Sequence, residues 1–82
     1  MSPAETKIAK LLAEAAGLPV EHVAPNSDLF RDMGMDSLNF VEALVAVEAE
    51  FCIEIPDLEA EDIETVQGFF DVVRRHAPAA FL

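Results

Sequence analysis

The fold of this chain is decided by residues 34–52, Gly-Met-Asp-Ser-Leu-Asn-Phe-Val-Glu-Ala-Leu-Val-Ala-Val-Glu-Ala-Glu-Phe-Cys. Asp36 is a favoured residue type for a helix N-cap, and no glycine or proline follows it within the stretch. The stretch therefore predicts a helix over residues 37–52, the strongest helix signal of the sequence. Ser37 comes directly after the cap, so its hydroxyl lies at the start of this helix.

Two further helices are predicted from their start signals. At the amino end, Ser-Pro-Ala-Glu at residues 2–5 combines an N-cap serine, a first-turn proline and a capping-box glutamate. This pattern predicts a helix over residues 3–16, and Gly17 ends it. Near the carboxyl end, Thr65 is expected to cap a last helix over residues 66–76.

The remaining segments carry weaker signals. Residues 17–35 hold several turn-forming residues and are expected to form a long loop packed on the body of the protein. Residues 59–64 are expected to form a short helical turn. Residues 77–82 are left unassigned, as a tail that is expected to be mobile.

Length and composition favour one small helical domain. The chain has 82 residues, of which 52% are hydrophobic, with six Phe, three Gly, and neither Trp nor Tyr. Many of the apolar residues are Ala, which suits close helix packing, and no useful stretch alternates polar with apolar residues. We therefore expect an all-α fold and a single domain over residues 1–82.

Charge and cysteine content narrow the class of protein. Sixteen acidic residues against five basic ones give a net charge of −11, which argues against binding nucleic acid or an anionic membrane. Partners with basic patches are favoured instead. Cys52 is the only cysteine, so no internal disulfide can form. No signal-peptide stretch and no run of membrane-spanning length is found, and we expect a cytoplasmic monomer.

The helix over residues 37–52 has two apolar stripes. On a helical wheel, one arc is expected to face the core, and it comprises Phe40, Ala43, Leu44, Val47 and Phe51. Leu38, Val41, Val45 and Ala49 fall on the opposite side, with Glu42 among them and Glu48 at the margin. Either the loop or another helix covers this second stripe, or it docks a partner; periodicity does not decide between the two.

Three roles are considered for Ser37: a catalytic nucleophile, a structural serine at a helix start, and an attachment point. A catalytic nucleophile needs a base, but only His22 and His76 are available, and the Gly-x-Ser-x-Gly elbow is absent. We therefore expect no catalytic activity. Ser37 is then either a structural helix-start serine or an attachment point, where the helix dipole and free N–H groups favour a phosphodiester.

Metal binding finds no support in the sequence. Asp28, Asp32 and Asp36 are spaced by four residues, but the positions of an EF-hand loop that need glycine and glutamate hold Met33 and Asn39. Cys52 and the two histidines have no zinc-site spacing. We expect no metal site.

Three blocks of the sequence resemble the acyl carrier proteins. Residues 30–42, Phe-Arg-Asp-Met-Gly-Met-Asp-Ser-Leu-Asn-Phe-Val-Glu, resemble their prosthetic-group site. Residues 48–57, Glu-Ala-Glu-Phe-Cys-Ile-Glu-Ile-Pro-Asp, are similar to their second-helix end and the loop behind it. Residues 61–67, Glu-Asp-Ile-Glu-Thr-Val-Gln, resemble the third helix and the start of the fourth. Together the blocks cover nearly the whole chain.

The resemblance implies a small four-helix bundle, with three main helices, one short helix and a long first loop. It implies that a phosphopantetheinyl transferase, with magnesium, attaches 4′-phosphopantetheine from coenzyme A to Ser37. The protein then carries acyl groups as thioesters between acyl-loading and acyl-using enzymes with basic docking patches. The positions that face these partners are Asp36, Leu38, Val41, Glu42, Val45 and Glu48.

Departures from the family pattern leave the pathway open. Asn39 and Ala49 stand where many fatty-acid carriers have acids, Met33 replaces a usual Leu, and Phe40 is bulkier than the common residue and could shrink the space for a buried acyl chain. A freestanding acyl carrier of fatty-acid, polyketide or related biosynthesis is expected, and because these departures are untypical of housekeeping fatty-acid carriers, a specialised carrier for a polyketide or another secondary pathway fits the sequence. Two alternatives stay open: an aminoacyl or peptidyl carrier, and a small acidic interaction module with an unmodified Ser37.

Overall fold

Four α-helices make up most of the structure, a computed structural model that describes residues 1–82. Their bounds are Pro3–Ala16 (α1), Ser37–Phe51 (α2), Asp57–Glu61 (α3) and Val66–His76 (α4), with 3-10 helices at Val20–His22 and Pro78–Phe81. The only β-type pairing is an isolated bridge between Asp28 and Thr65. The expected all-α fold with three main helices and one short helix is confirmed. None of the helices has the length and apolar character needed to cross a membrane.

The two outer helices begin where their caps predict. Ser2 Oγ accepts a hydrogen bond from the Glu5 N–H, and Glu5 Oε1 accepts one from the Ser2 N–H, which completes the capping box of α1. Gly17 ends α1 in the left-handed region at φ 70°, where glycine has no steric penalty. Thr65 Oγ1 accepts from the Gly68 N–H and caps α4.

The short helix starts two residues earlier and ends three residues earlier than the sequence indicates. We expected a turn over residues 59–64, whereas α3 spans Asp57–Glu61. The Pro56 carbonyl accepts the N–H groups of Glu59 and Ala60, so the helix starts directly after the proline. Beyond Glu61 the chain must turn Ile63 into the core, where it is buried, and this ends the helix.

The core lies between α1, the inner face of α2 and α4. Its largest fully buried side chains are Phe69, Phe70, Ile8, Leu12, Leu29, Val47, Val66 and Val73. The inward face of α4 thus consists of Val66, Phe69, Phe70 and Val73, and Val72 is buried as well. This core fixes the orientation of α2, and hence of the helix start that carries Ser37.

The first loop packs on this core, as expected. Val23, Leu29, Met33 and Met35 are all buried within it. Backbone hydrogen bonds tie the loop to the segment before α4, including one of 2.9 Å from the Leu29 N–H to the Glu64 carbonyl. These contacts therefore fix the position of the residues that lead into α2.

The tail forms a 3-10 helix against α1 and α4. Phe81 is half-buried, and the Arg74 guanidinium lies 4.9 Å from the centre of its ring, a cation–π contact. The segment left unassigned in the sequence thus has a defined position in the structure. Its mobility in solution stays a prediction.

Candidate functional site

The start of α2 is built by reciprocal capping. Asp36 Oδ1 accepts the Asn39 N–H at 2.8 Å, and Asn39 Oδ1 accepts the Asp36 N–H at 3.3 Å. Asn39, one of the departures from the family pattern, thus has a structural role here. Because Asp36 and Asn39 supply the cap, the hydroxyl of Ser37, the first helical residue, is not needed for it. Ser37 is exposed.

The loop before α2 is held by carboxylates that bind backbone N–H groups. Asp28 Oδ1 accepts the N–H groups of Arg31 at 2.8 Å and Phe30 at 2.9 Å, and these bonds, the Arg31 bond first, hold the pKa of Asp28 below its ordinary value. Asp32 Oδ2 accepts the Asp28 N–H at 2.7 Å. The regular spacing of acids in this loop therefore serves turn formation.

The inner stripe of α2 packs as predicted. Ala43 and Val47 are completely buried, and the other three predicted core residues, Phe40, Leu44 and Phe51, pack partly buried against the core. The prediction of this face is confirmed.

The second stripe is open to solvent. Leu38, Val41 and Val45 are 67%, 52% and 60% exposed, and Ala49 is exposed as well. The alternative in which the loop or another helix covers this stripe is therefore wrong. Leu38, Val41 and Val45 together form an exposed surface of α2, which we call the apolar strip.

The two acids beside the apolar strip differ. Glu42 is exposed, whereas Glu48 is half-buried, and its Oε2 accepts the Ile55 N–H at 2.8 Å. Glu48 thus fastens the α2–α3 connection to α2, a role that sequence reasoning missed. No local pattern signals it, because the two residues are seven positions apart.

A cleft beside α2 was also missed. It has a volume of about 500 Å³, and its lining residues are Asp28, Phe30, Arg31, Phe40, Ala60, Glu61, Ile63 and Glu64. It joins residues from three separate segments, so no single stretch of sequence marks it. On α3, the side chain of Leu58 is also apolar and 78% exposed, and sequence reasoning missed it.

The residues at the α2 start fit a covalently attached phosphate group. The first N–H groups of a helix, here those of Ser37 and Leu38, have no partner within the helix and point toward an anion at the helix start. The helix dipole favours a negative charge at the same place. An exposed serine hydroxyl at this position can therefore hold a phosphodiester without displacing any packed side chain.

Comparison with known protein families gives a match over residues 6–73 to the family described as "Phosphopantetheine attachment site". The matched region runs from α1 through most of α4 and includes the loop and all of α2. Proteins of this family carry covalently attached 4′-phosphopantetheine. Since the match spans far more than half of the chain, this protein belongs to the phosphopantetheine-dependent carrier proteins.

Proposed function

We propose that the protein is an acyl carrier protein with Ser37 as the attachment residue. The observation that most supports this choice is that Ser37 differs from the two other serines of the chain, Ser2 and Ser27. The Ser2 and Ser27 hydroxyls accept backbone N–H groups, those of Glu5 and Ala24 respectively. Ser37 alone is exposed at the start of a long helix whose capping is supplied by its neighbours.

The chemistry at Ser37 is group transfer on its hydroxyl. Ser37 Oγ forms a bond to the phosphorus of the 4′-phosphopantetheine half of coenzyme A, while the bond from that phosphorus to the bridging oxygen of the diphosphate breaks and adenosine 3′,5′-bisphosphate leaves. The hydroxyl proton passes to a base of the transferase, because neither histidine belongs to this helix start: His76 Nε2 lies 2.9 Å from Glu59 Oε2 and His22 lies in the first loop. Once bound, the group supplies a thiol that holds acyl groups as thioesters.

Partner enzymes are expected to dock on the outer face of α2. The apolar strip begins next to Ser37 and runs along the helix, and Glu42 adds a negative charge within it. An exposed apolar strip with acids beside it suits a partner surface that is apolar with a basic rim. Such a partner would reach Ser37 and the strip at the same time.

An acyl cargo is favoured over an aminoacyl cargo by the net charge of −11 and by the Glu-Ile-Pro-Asp block at residues 54–57. The alternative within carriers is an aminoacyl or peptidyl carrier. Incubation of the holo form with acyl and aminoacyl adenylates, in the presence of loading enzymes of each type, separates the two by intact mass.

The attachment residue is tested by intact-mass spectrometry after incubation with coenzyme A, magnesium and a broad-specificity transferase. The parent protein should gain one phosphopantetheinyl group and Ser37→Ala none. Ser27→Ala is the matched control and should be modified like the parent. Modification of Ser37→Ala, or a parent that a competent transferase leaves unmodified, would refute the assignment.

A further inference from the structure

Glu48 accepts three backbone N–H groups of the segment that joins α2 to α3. Its carbonyl oxygen accepts the N–H of Cys52, the C-cap of α2, and the N–H of Ile53, the latter at 3.1 Å. Its carboxylate oxygen Oε2 accepts the N–H of the buried Ile55 at 2.8 Å. This one residue therefore fixes the path on which the chain leaves α2, through both its main chain and its side chain.

The connection and α3 have little other local support. Cys52 lies in the left-handed region at φ 54°, a conformation that residues with a side chain rarely adopt. The helix α3 has only five residues and no side-chain cap. Because a helix this short is not stable by itself, its position depends on contacts with the rest of the protein.

Two carboxylates tie α3 to its neighbours. Glu48 of α2 holds Ile55, which lies two residues before α3. Glu59, in the middle of α3, accepts a hydrogen bond from Arg75 near the end of α4. The tie to α4 is thus made by α3 itself, whereas the tie to α2 is made by Glu48.

An apolar side chain is presented to solvent by α3, between acids. Leu58 is 78% exposed, and Asp57 and Glu61, one residue before and three after it, are exposed as well. The apolar strip of α2 likewise combines exposed apolar side chains with an acid. Ala60 of α3 and Phe40 of α2 line the same cleft, so the two helices lie side by side. A partner that is apolar with a basic rim therefore matches both surfaces.

We propose that Glu48 is a positioning residue, which holds α3 so that Leu58 and the apolar strip form one docking surface for the transferase. The proposal rests on the proposed function, because the transferase acts at Ser37. Glu48 acts through its hydrogen bond to the Ile55 N–H and not through its charge, so it contributes to recognition without touching the partner. The resemblance to the family implies, in contrast, that Glu48 itself faces the partner.

Two substitutions of Glu48 separate its hydrogen bond from its charge. Glu48→Gln loses the charge but keeps a side-chain oxygen that accepts the Ile55 N–H, whereas Glu48→Ala loses both. Modification of the folded proteins by the broad-specificity transferase, followed by intact mass, gives kcat/KM for each. Glu48→Gln should match the parent, and Glu48→Ala should fall about fivefold, which corresponds to about 1 kcal/mol of lost docking. Equal values for the two variants, low or high, would overturn the proposal.

Leu58→Ala tests whether the effect of Glu48 passes through α3. It should also slow modification about fivefold. Glu48→Ala should add nothing in the Leu58→Ala background, because the side chain that Glu48 positions is already gone. The amide resonances of residues 55–61 should shift in Glu48→Ala, while that of Ser37 stays in place. Additive losses in the double variant, or a normal rate for Leu58→Ala, would contradict the positioning role.

Val47→Ala is the matched control for a general loss of stability. It removes packing in the completely buried position beside Glu48, without touching the connection to α3. It should lower the Tm and leave kcat/KM unchanged at temperatures well below that Tm. If Val47→Ala slows modification as much as Glu48→Ala, destabilisation explains both and the proposal is wrong. Failure of the proposed function would show differently, as a parent protein that gains no phosphopantetheinyl group.

Discussion

Val41 and Val47 are the same residue type, six positions apart on α2, in opposite surroundings. Val41 is 52% exposed on the apolar strip, and Val47 is completely buried. Val41→Ala should therefore change the free energy of unfolding very little, whereas Val47→Ala should lower it by roughly 1–3 kcal/mol, as other core truncations do. Urea unfolding followed by circular dichroism measures both. Equal losses for the two variants would mean that the apolar strip is covered in solution.

Glu42 and Glu48 carry the same charge but make different contacts. Glu42 is exposed, so Glu42→Lys should leave stability nearly unchanged and slow modification by a transferase with a basic docking surface. That slowing should shrink at high salt, because exposed charges act mainly on the rate of association. Initial rates from mass spectrometry at low and high salt test this.

Glu48→Lys should instead destabilise the protein. It removes the acceptor of the half-buried Ile55 N–H, and a lost partner of this kind costs about 1–3 kcal/mol. Glu42→Lys is the matched control, with the same change of charge on the same helix. If both variants unfold at the same urea concentration, the hydrogen bond to Ile55 does not stabilise the protein.

At the level of the helices, the sequence predicts those elements whose start signals are local. The boundaries of α1 and α4 and the start of α2 are confirmed, because Ser2, Asp36 and Thr65 cap their own helices through short-range hydrogen bonds. Only the end of α2 differs, by one residue from the expected position. Such bonds involve residues three apart and are readable from the sequence.

Elements held by distant contacts were not predictable in the same way. α3 has no side-chain cap, and its position is set by Pro56 and by the burial of Ile63. The 3-10 helix of the tail depends on Phe81 packing back on the helices. The same holds for the site: the proposal of Ser37 rests on its local context, whereas the cleft lined by Phe40 depends on three segments meeting in space.

Glu59 fastens α3 to the end of α4. Its Oε1 accepts from Arg75 Nη2 at 2.9 Å, and its Oε2 lies 2.9 Å from His76 Nε2. The Arg75 hydrogen bonds, followed by the His76 contact, hold the pKa of Glu59 below its ordinary value of 4.5. Asp62 and Asp71 line the same groove as Glu59 and Arg75 and add negative charge nearby.

A lowered pKa in the folded state stabilises the protein above the unfolded-state pKa, and this contribution is lost as the pH falls through the folded-state pKa. Glu59→Gln should therefore melt below the parent at pH 7, and the difference should begin to shrink as the pH falls to about 4.5 and be lost only below the lowered folded-state pKa of Glu59. Glu61→Gln, on the same helix and without an ion pair, is the control and should not melt below the parent. A Glu59→Gln deficit that persists unchanged at low pH would contradict the ionic role of Glu59.

For the molecule as a whole, repulsion among its acids is expected to oppose folding. Of sixteen acidic residues, only Glu50 and Glu59 lie within ion-pair distance of a basic side chain. The molecule measures 29 × 26 × 19 Å. The Debye length is about 30 Å at 0.01 M salt and about 10 Å at 0.1 M, so in dilute buffer every acid interacts with every other, and at moderate salt only neighbours do.

Added sodium chloride should therefore raise the Tm, most steeply between about 0.01 and 0.1 M, where the screening length falls below the size of the molecule. A triple variant with Glu14→Gln, Glu21→Gln and Glu54→Gln is the informative comparison, because these three side chains are exposed and make no ion pair. It should melt above the parent in dilute buffer and gain less from added salt, since fewer like charges remain to be screened. Both proteins should approach a common Tm at high salt. Parallel salt curves, or a parent whose Tm does not respond to salt, would show that the net charge of −11 does not limit the stability of this fold.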